Sequence, residues 1–283
     1  MSLGVLNNIS AIYAQNNLSN TQAALQKTLQ ELSSGNRINS GADDAAGLSL
    51  ADGLGANAAA LQQSTQNASD GIGYLQVADG ALSQVTSLLN RAVTLATEAS
   101  NGTLDTNQLT AADTEFQNIV TEIGNIGSNT NFNSNTVFSA TAVDFVTTDG
   151  TSTGVNTFAE TVGALSNASV GVSDAAGGAG QDLSGDDLNA GDAAQALTDV
   201  TTAISDVALQ RGVIGADINQ LSAAANVAST QNVNMLSSQN NVLATDYGQA
   251  TSDMSKYQIL SQTGIAALSQ AQQSQQLITK LLQ

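Results

Sequence analysis

Apolar residues recur at helical spacing along most of the chain. Between Leu3 and Leu32 they fall at Leu3, Leu6, Ile9, Ile12, Leu18, Leu25, Leu29 and Leu32, mostly three, four or seven residues apart, which predicts one amphipathic helix. Its other face is Asn, Gln, Ser and Thr with almost no charge, a surface only weakly helical alone, so a partner must stabilise it. Ala45 to about Ser100 predicts a longer helix with two stripes. One runs Leu61, Ala68, Ile72, Leu75, Leu82, Leu89, Val93, Ala96, the other Val77, Ala81, Leu88, Ala92, Leu95, Ala99. Two stripes imply two helical neighbours. Gly53, Gly55, Gly71, Gly73 and Gly80 lie inside this segment. Each costs about 1 kcal/mol relative to Ala, so a continuous helix here depends on tertiary packing.

The turn sequence NGTLDTN at 101–107 precedes a helix over Leu109 to Ile126, with Phe116, Ile119, Val120 and Ile123 on one face, and TNFNSN at 130–135 ends it. From Thr136 to about Asn189 the pattern becomes short alternating runs such as Val143, Phe145 and Thr147, with breaks at Gly177, Gly178 and Gly180. A β-hairpin is expected near 137–160, and loop for the remainder. Helical spacing returns with Leu197, Val200, Ile204, Val207, Val213, Ile218 and Leu221, from about Ala193 to about Leu236. A soft break at SSQNN, 237–241, precedes a seam of alternating four- and three-residue steps: Leu243, Tyr247, Ala250, Met254, Tyr257, Ser261, Gly264, Leu268, Ala271, Gln275, Ile278, Leu282. That is coiled-coil spacing, and it mirrors the N-terminal helix. Between the first two helices, Ser33, Ser34, Gly35, Asn36, Asn39, Ser40 and Gly41 are turn-formers, and Asp43 and Asp44 fall where carboxylates cap a helix start. The fold expected is mostly α: a long antiparallel helical coiled-coil rod with a terminal helix pair and a short β-hairpin or irregular outer segment.

Composition narrows the chemistry. The chain of 283 residues has no Cys and no His, which removes disulfide frameworks, thiol nucleophiles, ordinary zinc sites and His-based general base catalysis. No enzyme activity and no cofactor are expected. Trp and Pro are absent and aromatics make up 3%, so packing must come from small aliphatic side chains on long elements. There is no basic n-region, no apolar h-region and no run long enough for a bilayer, so neither a cleaved signal nor a membrane anchor is expected. The net charge of −18 is unevenly spread: residues 31–217 hold 22 acids against Arg37, Arg91 and Arg211, while both ends are nearly neutral. Acid faces solvent in the middle, the ends are built for burial, and no basic patch exists for nucleic acid. Arg37 reads as an inter-subunit ion-pair partner or as a solvated loop charge. The acidic stretch GDDLNAGD at 185–192 lacks the spacing and terminal Glu of an EF-hand loop and reads as a solvated loop.

Several stretches resemble bacterial flagellin. They are LSSGNRINSGADDAAGL at 32–48, NASDGIGYLQVADGAL at 67–82, NGT at 101–103 and TNFN at 130–133, then Arg211, GADINQL at 215–221 and QIL at 258–260. The likeness covers roughly residues 1–135 and 190–283. It departs at Gln220, where the family usually has Arg, and at NNVLATDY, 240–247, where the usual SRIxDxDF keeps Asp246 and an aromatic.

The resemblance implies a structural subunit that polymerises with copies of itself into the flagellar filament for swimming. Residues 1–33 and 242–283 would be the inner-core helix pair, 34–135 and 190–241 the helical rod, and 136–189 a short variable outer segment. It implies an extracellular product of the flagellar type III export route without a cleaved signal. Its partners would be the export apparatus, an export chaperone and cap and junction proteins. The core and inter-subunit seam would be Leu18, Leu25, Leu29, Leu32, Leu243, Tyr247, Met254, Tyr257, Leu268, Ile278 and Leu282. The joint motif would be Ser33, Ser34, Gly35, Arg37, Ile38, Asn39, Asp43, Asp44 and Gly47. In the patch that animal innate receptors recognise in some flagellins, Leu89, Arg91, Leu95 and Glu115 match, while Val93 and Thr94 replace the second Arg and the Glu. Two alternatives share part of this pattern. A hook-filament junction protein would share the terminal helices, but its joint typically reads Asp-Asp-Pro where this chain has Asp43-Asp44-Ala45. A secreted coiled-coil adhesin or effector would need a larger middle.

Overall fold

The computed structural model describes residues 8–148, 157–173, 178–189 and 192–281. Helices dominate: α1 (Ile9–Ser34), α2 (Ala45–Ser100), α3 (Thr106–Asn129), α4 (Ala193–Leu243) and α5 (Tyr247–Leu281). Three small antiparallel pairs complete it: β1 (Asn131–Phe132) with β2 (Asn135–Thr136), β3 (Val143–Val146) with β4 (Thr157–Glu160), and β5 (Val170–Val172) with β6 (Ala179–Gln181). The chain divides into two compact units, one of residues up to Ala56 and from Asn234 on, the other of Asn57–Val233.

In the first unit α1 and α5 run antiparallel. The Asn8 side chain caps α1 by accepting from the Ala11 N–H at 3.0 Å, and its amide donates to the Ala271 carbonyl at 2.8 Å. Further along, Leu18 packs on Gly264, where an added Cβ would sit 3.3 Å from Leu18 Cδ1. Along α5 Ala250, Met254, Tyr257, Ser261, Gly264, Leu268 and Ala271 are covered, the seam expected from the spacing, with Asp253 partly covered beside it. On α1 the seam in steps of three and four is Ala11, Ala14, Leu18, Thr21, Leu25, Thr28 and Leu32, with Ala24 and Glu31 partly covered beside it. This differs from the stripe of large residues expected, since Ile9 and Ile12 are more than half exposed. Ala and Thr share the seam with Leu18, Leu25 and Leu32. The Thr21 and Thr28 hydroxyls donate back to the Asn17 and Ala24 carbonyls of their own helix, which lets them face the seam without an unmet donor. Leu3, Leu6 and Leu282, and the side chains of Gln275 and Ile278, lie outside the described residues.

In the second unit the buried positions of α2 from Leu61 to Ala99 follow a single seam: Leu61, Ser64, Ala68, Gly71, Leu75, Ala78, Leu82, Val85, Leu89, Ala92, Ala96 and Ala99. Tyr74 and Leu95 flank it, while Val77 of the expected second stripe is exposed. The helix is unbroken at Gly71 and Gly73. Gly71 explains itself: a Cβ there would come 3.0 Å from Leu221 on α4 and 3.1 Å from the Phe145 ring on β3. Within this unit α4 lies antiparallel to α2. The Asn232 amide meets the Ala58 carbonyl, Leu221 meets Gly71, and Arg211 meets Asp79, the numbers falling on one helix as they rise on the other. After the turn at 101–105, Asp105 and Gln108 form a capping box at the start of α3, whose Phe116 and Ile123 are fully buried.

The segment TNFNSN does more than end α3. It forms the β1–β2 hairpin, whose turn places Asn133 and Ser134 at φ +48° and +67°. Phe132 meets Tyr74 edge to face at 6.0 Å between centroids, and the Tyr74 hydroxyl donates to the Val137 carbonyl at 2.8 Å. The hairpin expected near 137–160 is β3–β4, with Val143 opposite Glu160; its connection at 149–156 lies outside the described residues. The stretch expected as loop contains a further pair, β5–β6. Gly171 of β5, at φ +78°, lies against the Asp206–Val207 backbone of α4, where a Cβ would be 2.6 Å from the Val207 nitrogen. Gly177 is outside the described residues. The break expected at SSQNN is absent, for α4 runs through it to Leu243.

Candidate assembly site

The joint between α1 and α2 is closed by the far end of the chain. Gly35 ends α1 in the left-handed conformation, φ +74°, and its N–H donates to the Glu31 carbonyl. A single antiparallel bridge joins Asn36 to Ala244. The Arg37 N–H donates to the Leu243 carbonyl at 2.6 Å, and the Thr245 N–H to the Gly35 carbonyl at 3.0 Å. These long-range bonds mark where α4 stops, and Asp246 caps the start of α5 by accepting the Gly248 and Gln249 N–H groups at 2.9 and 3.1 Å. Arg37 also donates from its guanidinium to the Val242 carbonyl at 3.0 Å. The Tyr247 hydroxyl sits over Gly35, 2.9 Å from where a Cβ would be.

Each joint residue named from sequence has a place, and two acids divide the work differently from the expectation. Asp44 caps α2, accepting the Gly47 N–H at 2.9 Å. Asp43 ties the loop instead: its carboxylate accepts from the Ser40 N–H and hydroxyl, both at 3.0 Å, and from the Asn39 N–H at 3.3 Å, while Lys27 of α1 pairs with it at 2.8 Å. Lys27, then Ser40 and the Asn39 amide, hold the Asp43 carboxyl down to about 2. Asn39 donates to the Asn36 carbonyl at 2.7 Å, and the Ser34 hydroxyl oxygen accepts the Asn36 N–H. Ile38 is buried, and Gly47 leaves room for it, since a Cβ there would be 2.7 Å from Ile38 Cδ1. Ser33 is exposed.

Beyond the joint, the α1–α5 pair leaves much of its apolar surface uncovered. Leu18, Leu25, Leu32, Met254, Tyr257 and Leu268 lie on the covered seam, whereas Leu29 and Tyr247 are exposed. So are Ile9, Ile12, Tyr13, Ile259, Leu260 and Ile265. Of the large α1 side chains placed on the seam by their spacing, Leu18, Leu25 and Leu32 are there, alternating with Ala and Thr, while Ile9, Ile12 and Leu29 face outward. Charge on these two helices is confined to Lys27, Glu31, Asp253, Lys256 and Lys280. Lys27 is paired with Asp43, and the Lys256 ammonium lies 5.3 Å from the centre of the Tyr257 ring.

In the second unit, Arg91 and Glu115 form a bidentate, exposed ion pair at 2.7 and 2.9 Å, while Leu89 and Leu95 are buried in the core beneath. Of that matching group only the ion pair is open to a partner. The described part of GDDLNAGD is ordered by α3: Asp113 accepts the Leu188 N–H at 3.0 Å and the Asn189 amide at 3.0 Å. No group of three or more acids able to hold a metal occurs among the described residues, and none of their helices is long and apolar enough to cross a membrane.

Residues 5–142 match the bacterial flagellin N-terminal helical region, and residues 197–282 match the bacterial flagellin C-terminal helical region. The flagellins of Listeria monocytogenes and Bacillus subtilis are 30% and 31% identical to this chain, each alignment spanning 97% of this chain and 98% of the relative. The flagellar filament 33 kDa core protein of Treponema phagedenis is 30% identical over the same shares. Matches to both terminal regions, and to relatives of the same length from end to end, converge with the joint and the paired terminal helices: the chain belongs to the bacterial flagellin family.

Proposed function

We propose that this chain, as a structural subunit of the flagellar filament, polymerises through the outward faces of the α1–α5 pair. Residues 1–33 and 242–283 would form the filament's inner core, with 34–135 and 190–241 around them and 136–189 outermost. One observation carries this reading. Eight large apolar side chains on the pair (Ile9, Ile12, Tyr13, Leu29, Tyr247, Ile259, Leu260 and Ile265) are 43–67% exposed on helices with five charged residues. Apolar side chains exposed in that number on helices with so little charge are covered by a partner, and in a homopolymer the partner is another copy. Passage to the cell exterior by the flagellar type III export route belongs to the same reading, as do an export chaperone and cap and junction proteins. The chemistry asked of the chain is cohesion, and no catalysis is assigned to it.

The test is a charge placed on that face. Ile12→Asp and Ile259→Asp each change an exposed residue and should leave subunit stability within about 0.5 kcal/mol of the parent. Elongation from filament seeds, followed by light scattering, should fail for both. Elongation at the parent rate would refute the assignment of this face.

A further inference from the structure

One stripe of α4 faces the strands that follow residue 157, and both sides of that contact are acidic. Asp199, Ala203, Asp206, Gln210, Val213 and Asp217 recur in steps of four and three along the helix. At one end Asp217 meets Glu160 of β4, carboxyl to carboxyl; at the other Asp199 meets Asp186 in the same way. Between them the Gln210 amide donates to the Val162 carbonyl at 2.5 Å, and Gly171 packs on the backbone at Asp206. Glu160 is 5% exposed. Asp186 Oδ2 and Gln210 Oε1 are buried with no donor facing them. The contact therefore holds more acceptors than donors, and two ionised carboxylates in each pair would repel with little water between them.

We propose that residues 157–173 and 178–189, which also place Val162, Leu165, Val170 and Leu183 in the core, are held on α4 in part through two shared protons, one between Glu160 and Asp217 and one between Asp186 and Asp199, so that this contact loosens as pH rises. Among the described residues no cation compensates these acids. Glu160 faces Val143 on β3, Tyr74 on α2 and Asp217 on α4. Asp186 faces Asp182, Asp192 and Asp199, of which Asp199 accepts from the Gln195 amide at 2.9 and 3.0 Å; Gln117 of α3 donates to the Asp186 backbone carbonyl, and Asp113 is occupied by Leu188 and Asn189. Arg211, on the same helix, is bound to Asp79 of α2 at 2.7 Å. Burial, then Asp217, pushes the Glu160 carboxyl up to about 7; burial, then Asp199, pushes Asp186 up to about 6. Acids raised in the docked state favour docking fully below the ordinary carboxyl range, and that contribution is lost as pH climbs through the raised values.

Hydrogen exchange of the full-length soluble chain, read by mass spectrometry at pH 5.5 and 8.5 with exchange times scaled for the intrinsic pH effect, decides it. Amides in 157–173 and 178–189 should lose at least about tenfold in protection relative to those of α2 across that interval. In the double variant Glu160→Gln with Asp186→Asn, each amide gives its carboxylate partner a permanent donor, and protection at pH 8.5 should stay at its pH 5.5 level. Each single variant should remove part of the response, which keeps the test open if the double variant folds poorly. Equal protection of the parent at both pH values would overturn the proposal. So would an undiminished pH response in the variants, or full restoration at pH 8.5 by millimolar magnesium, which would make the pairs cation ligands instead.

Discussion

Two helical glycines, Gly80 and Gly127, separate what propensity contributes from what packing forbids. Gly80 lies within α2 with nothing within 4 Å of where a Cβ would be, whereas at Gly127, near the end of α3, an added Cβ would overlap the Leu165 carbonyl. In both places Ala gains up to about 1 kcal/mol of helix propensity and reduced unfolded-state entropy. At Gly127 that gain is opposed by overpacking of about 1–3 kcal/mol, because the obstacle is backbone and cannot rotate away. Gly80→Ala should therefore stabilise the subunit, and Gly127→Ala should fall about 1–3 kcal/mol below it, the propensity terms cancelling in the comparison. Urea unfolding of the soluble subunit, followed by far-UV circular dichroism, measures this provided the two variants share one slope with the parent. Equal upward shifts in the midpoint would show that residues 163–166 yield freely. The contact between α3 and that turn would then be far looser than its geometry.

At the joint, a lowered carboxyl contributes stability that is present above its ordinary value of 3.8 and is lost as pH falls toward about 2. Amides of Asn39 and Ser40 should thus lose exchange protection between pH 4 and 2, and Asp43→Asn should lose it already at neutral pH. Phe116→Ala empties a fully buried site in the core of the second unit and should cost about 3–5 kcal/mol in urea unfolding. Residues 31–217 carry 22 acids against three arginines, so copies brought side by side repel. Raising salt toward about 0.15 M shortens the screening length to roughly 8 Å and should speed seeded elongation, measured by light scattering.

Helices were legible from spacing wherever a long element buries one face, as at Leu61–Ala99 and Ala250–Ala271, because a seam of threes and fours has no other use. The start of α2 was legible too, from turn-formers followed by two acids. What escaped was decided by distant partners. SSQNN looked like the break but is helical; the chain turns at Ala244, where Asn36 and Arg37 bond to it, and the local mark is Asp246, which caps α5. The β5–β6 pair has three residues a side and a glycine in each strand, so no alternation exists to be read; Gly171 is there because α4 presses against it. Glu160 and Asp186 looked like any solvated acids, since both their burial and their Asp217 and Asp199 neighbours come from contacts that sequence distance hides. On α1 the same spacing put Ile9, Ile12 and Leu29 on the seam with Leu18, Leu25 and Leu32, and only the position of α5 decides that the first three face outward.

The claim that the terminal helix pair is an assembly device is tested most directly by removing one of its members. A chain lacking Leu243–Gln283 keeps every residue of the second unit, including the α2 seam with its α3 and α4 neighbours. We predict that this variant retains a cooperative helical unfolding transition by circular dichroism, yet forms no filaments from seeds by light scattering and negative-stain imaging. Filaments still forming, or residues 57–233 losing their structure along with the deleted helix, would contradict the account.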